Sequence, residues 1–132
     1  MNQSWSPRNV VKFVRETLGC GCPEHVFEKI ELSRAEKGVL PLNFTRINVG
    51  DTLLVYIVRP GSDGELQDAI KGIISAGKRD RDVHGFNRFR LVIAGGENKL
   101  DPQIATNNFM KEVGEDQKIH IHFVRTEAVQ DL

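Results

Sequence analysis

Six consecutive apolar residues, Leu53-Leu54-Val55-Tyr56-Ile57-Val58, constrain this chain more than any other stretch. Side chains along a strand alternate between two faces, so a run that is apolar on both parities offers no face to water. Such a strand belongs inside a sheet, with cover on both sides. Arg59-Pro60-Gly61 stops it. Ser62 with Glu65 three residues on forms a capping box, and Leu66, Ala69, Ile70, Ile73 and Ile74 then fall on one helical face. Gly77 is placed to close that helix, leaving residues 78–88 as a charged loop.

Residues 89–94 repeat the buried-strand pattern and end in Gly95-Gly96. Asp101-Pro102 caps and starts a further helix, with Ala105, Phe109, Met110 and Val113 as its apolar face. Residues 118–124 alternate strictly, Ile119, Ile121 and Phe123 on one face and His120 and His122 on the other. Residues 53–124 therefore spell β-α-β-α-β, an order that demands right-handed crossovers and parallel neighbours.

Upstream, Ser6-Pro7 starts a helix with Val10, Val11, Val14 and Leu18 on one side and Gly19 at its end. Cys22-Pro23 opens a second short helix carrying Val26, Phe27 and Ile30. Residues 30–33 form a short strand, 35–42 a loop, and 44–49 a strand at a sheet edge, able to pair back as a hairpin. The expected architecture is one α/β domain over residues 1–132, with flexible ends at 1–5 and 126–132. Its sheet is four- or five-stranded and mostly parallel, with two amino-terminal helices packed on it.

Eighteen basic and eighteen acidic residues cancel, so no long-range field gathers nucleic acid or an anionic membrane. No apolar run reaches the roughly 18 residues that span a bilayer, and the amino end lacks the basic and apolar regions of a signal peptide. The chain reads as a cytoplasmic accessory protein, and a protein partner is one expected ligand.

Both cysteines lie within Leu18-Gly19-Cys20-Gly21-Cys22-Pro23-Glu24-His25. In a reducing compartment a Cys-Gly-Cys pair points to thiol redox exchange ahead of a structural disulfide. Cys22, at the start of a helix, is the expected nucleophile, Cys20 its resolving partner and His25 an electrostatic helper. Two other readings use the same residues: a metal site on the two thiolates with His25 as a third ligand, and a partner-binding or structural module in which the cysteines are merely buried.

Two further places are candidates for binding. Gly95-Gly96 follows a buried strand, where open α/β sheets hold ligands, although no phosphate-loop motif accompanies it. Arg88 and Arg90 share a parity and are placed to bind a partner's carboxylates. The surrounding Lys78, Arg79, Arg81 and His84 are offset by Asp80 and Asp82 in what reads as a solvated loop, with Phe86 and Phe89 as anchors.

Overall fold

The computed structural model describes residues 6–19, 24–35, 44–95, 101–116, 118–129 and Leu132. Helix α1 (Pro7–Lys12) runs on through one π-helical turn, Phe13–Thr17. Glu24–Glu28 forms a 3-10 turn before strand β1 (Ile30–Ala35), which is followed by β2 (Phe44–Val49) and β3 (Leu53–Val58). Helix α2 (Asp63–His84), strand β4 (Arg88–Ala94), helix α3 (Pro102–Val113) and strand β5 (Ile119–Val124) complete the core, and a 3-10 turn covers Thr126–Val129. No helix among the described residues is long and apolar enough to cross a membrane.

The sheet has five strands in the order β1-β2-β3-β4-β5, and it is mixed, which corrects the expectation of a mostly parallel one. β3, β4 and β5 are parallel, joined by α2 and α3 as their alternation with helices requires. β1, β2 and β3 are antiparallel. The link from β2 to β3 is the tight turn Gly50-Asp51-Thr52, too short for anything but an antiparallel return. β2 is also not an edge: it lies between β1 and β3 and is buried along most of its length.

The amino-terminal part differs as well. One short helix packs there rather than two, because the stretch bearing Val26 and Phe27 makes only a 3-10 turn and Ile30 already belongs to β1. Gly19 adopts φ 67°, as its helix-ending role predicts.

Both faces of β3 are buried as the six-residue run demands. Leu54, Tyr56 and Val58 join one apolar cluster with Leu66, Ile70, Ile73 and Phe89, while Leu53, Val55 and Ile57 join another with Val10, Val14, Ile47, Val129 and Leu132. α2 and α3 pack on one face, as two right-handed crossovers running in the same direction require. The other face takes α1, its π turn and the last residues.

Helix α2 does not stop at Gly77. It continues two turns to His84 and ends at Gly85, whose φ of 72° is the left-handed cap. Residues 78–84, expected as loop, are therefore helical. Gly77 serves packing: a Cβ there would overlap the Phe89 ring, so its absence lets α2 lie close on β4. Gly77→Ala is expected to destabilise the fold by about 1–3 kcal/mol in urea unfolding, although alanine is the better helix former.

Candidate functional site

On β4 the alternation sends Phe89, Leu91 and Ile93 into the α2–α3 cluster and turns Arg88 and Arg90 to the opposite face. The parallel register sets Arg90 beside His120 and Val92 beside His122. Two guanidinium and two imidazole side chains thus share one end of that face. Arg88 is exposed; Arg90, His120 and His122 are half-buried.

Arg90 Nη1 donates to Leu18 O at 3.2 Å and to His122 Nε2 at 2.8 Å. Accepting at Nε2 leaves the proton of a neutral His122 on Nδ1. The Nε of Arg90 is buried and has no partner among the described residues. Among the described residues none of these bonds goes to a carboxylate, so a half-buried cation rests on two neutral acceptors.

The charge shows in its neighbours. Burial, then Arg90 and His120, push His122 down to about 4. His120 is lowered by burial and by Arg90 and Arg88, and Arg90 itself by burial and by Arg88. Near neutral pH both imidazoles are uncharged, and the face carries the positive charge of its arginines alone.

The other ionic cluster is compensated, and sequence reasoning missed it. Asp80 of α2 accepts from Arg46 Nε and Nη2 at 2.7 and 2.8 Å, from Tyr56 OH at 2.6 Å and from His84 Nδ1 at 2.8 Å. Burial raises the Asp80 carboxyl, but Arg46 and Tyr56 outweigh it and hold the group below the usual range. Tyr56 is raised by burial and by its bond to Asp80. The only sequence signal was the i, i+4 spacing of Asp80 and His84, which has meaning once α2 runs past Gly77. A groove of about 580 Å³ opens beside it, lined by Phe44, Arg46, Tyr56, Val83 and His84 among others.

Cys20, Cys22 and Gly96 lie outside the described residues. His25 is exposed on the Glu24–Glu28 turn. Gly95 ends β4, at the opposite end of that strand from Arg88. The basic crowd of the sequence is dispersed: Arg81 is buried and paired with Asp82 and Asp116, Phe86 and Phe89 are core residues, and only Arg88 and Arg90 join the histidines. Among the described residues no group of three or more His, Cys, Asp or Glu is arranged to hold a metal ion. No protein-family model, curated protein or solved structure matches the chain.

Asp80→Asn is expected to cost about 2–4 kcal/mol in chemical unfolding, since it strands Arg46 without its carboxylate in a half-buried place. The His122 shift has its own pH signature. As pH falls from 6.5 towards 4 the unfolded chain takes up a proton at this residue that the folded chain refuses, so stability declines across that window. The expected loss is about 1–2 kcal/mol, discounted for solvent screening. Imidazole NMR titration checks it, and Arg90→Met should return His122 towards its ordinary value.

Proposed function

We propose that this chain is a binding module that captures an anionic group, a carboxylate or a phosphate, on Arg88, Arg90, His120 and His122. The observation that supports this reading is the half-buried Arg90 guanidinium, held by two neutral acceptors and carrying a buried Nε with no partner among the described residues. A guanidinium taken partly out of water is stabilised by a counter-charge, and its planar fork suits two oxygens of one carboxylate or phosphate. Arg46 and Arg81 have carboxylates within the fold. At Arg90 and Arg88 no carboxylate among the described residues takes that place, which leaves it to a ligand.

The histidines make capture sensitive to pH. A bound anion offsets the charge that now depresses them, so His120 takes up a proton with the ligand and binds it in turn, and His122 does so on giving up its bond from Arg90. Affinity rises as pH falls from neutral towards 5.5. Calorimetric titration with inorganic phosphate and with succinate tests this and separates the two anions. Arg90→Met is expected to abolish the binding while the circular dichroism spectrum is kept. Failure of both probes to bind, or binding indifferent to Arg88→Met and Arg90→Met, sinks the proposal.

Thiol exchange at Cys20 and Cys22 is a second reading, favoured by one contact: Arg90 holds the carbonyl of Leu18, two residues ahead of Cys20. Cationic surroundings favour a thiolate. In that reaction the Cys22 thiolate attacks a partner's disulfide and releases one partner thiolate; Cys20 then displaces the second and closes the ring. Thiol alkylation against pH tests it, and two cysteines titrating near about 8.5 would remove it.

A further inference from the structure

The donors of Arg90 are committed in a way that a two-oxygen ligand has to undo. Nη1 carries two hydrogens and makes both of the bonds described above, to Leu18 O at 3.2 Å and to His122 Nε2 at 2.8 Å. A guanidinium grips two oxygens of one anion either side-on, through Nε and Nη2, or end-on, through Nη1 and Nη2. Arg46 uses the side-on grip on Asp80. At Arg90 the buried Nε closes that grip, and the end-on grip needs an Nη1 hydrogen that is already given away. One of the two acceptors must yield.

While His122 is neutral, that acceptor is Leu18 O. Its bond is the longer of the two, and His122 is fixed in the register of β5. Leu18 closes the π-helical turn with φ −86° and ψ −14°, and Gly19 follows at φ 67°. Turning the peptide plane between them by about 150° carries Leu18 ψ to about 140° and Gly19 φ to about −80°, both in well-populated regions. The buried Leu18 side chain keeps its place in such a turn, because only the peptide unit rotates. A Cβ at Gly19 would meet nothing within 4 Å, and the Gly19 amide has no acceptor among the described residues. Neither packing nor a bond there resists the motion.

We infer that the Leu18–Gly19 peptide is a two-position switch on the anion site. At rest its carbonyl fills Nη1 of Arg90; with an anion bound it turns over, frees the guanidinium and aims the Gly19 N–H at the anion. The inference rests on the reading of Arg90 as an anion site. Each position suits one state of that site. A carbonyl facing the half-buried cation supplies partial negative charge, whereas an N–H facing it repels until an anion lies between them and accepts from both. The left-handed φ of residue 19 belongs to the resting position alone. Glycine bears it at little cost, and a residue with a Cβ would bias the switch towards the bound position.

Calorimetry with inorganic phosphate and with succinate at pH 7 tests this on the full chain. Gly19→Ala is expected to bind about two- to fivefold tighter than the unaltered chain, since alanine strains only the resting position. In NMR spectra of the unaltered chain, saturating anion should move the Leu18 Cα shift from helical towards extended values and the Gly19 couplings from positive to negative φ. Circular dichroism melting verifies the fold of Gly19→Ala, and if that variant does not fold, the Leu18 and Gly19 signals decide. Binding that leaves these signals unmoved, or that is equal or weaker in Gly19→Ala, overturns the switch and leaves the anion site standing. If neither anion binds either protein, the site falls and the switch with it.

Discussion

All six side chains of β3 are buried, and this dryness organises the molecule. Leu54, Tyr56 and Val58 need cover on one side and Leu53, Val55 and Ile57 on the other, so the sheet is enclosed by two layers. One layer is α2 with α3. The other is assembled from α1, its π turn, Val129 and Leu132, short pieces that follow no regular helical crossover. Each layer reaches only part of the sheet, and the two outer strands are left half-covered.

Charge follows that enclosure. Where α2 crosses the antiparallel strands, Asp80 gathers Arg46, Tyr56 and His84 and ties the helix to β2 and β3. On the opposite face the end of the amino-terminal helix reaches β4 through Leu18 O, and the side chain that meets it is Arg90. The first junction is electrically closed. The second retains an excess positive charge beside two imidazoles.

The parallel half was legible because each of its elements has its own punctuation. Ser62 accepts from Glu65 N and Asp101 from Gln103 N, as their spacing predicts, and β5 alternates as read. The antiparallel half was less so. Residues 44–49 alternate like an edge strand, and only pairing with β1, a partner far weaker in pattern, makes them interior. Gly77 reads as a stop by its residue type and is helical because of Phe89, a contact between elements that local sequence does not carry. The site was half visible for the same reason. Parity showed that His120 and His122 share a face, and that Arg88 and Arg90 share one. That these faces coincide depended on strand order and register.

The strand order has a consequence for how the sheet is built. Every hydrogen-bonded neighbour in it is also the next strand along the chain. No strand must be threaded between two that already exist, and no pairing waits for a distant segment, so loop-closure entropy is met in small, successive steps. The order lets the sheet be extended from one side to the other, each added strand pairing with the one just before it in the chain.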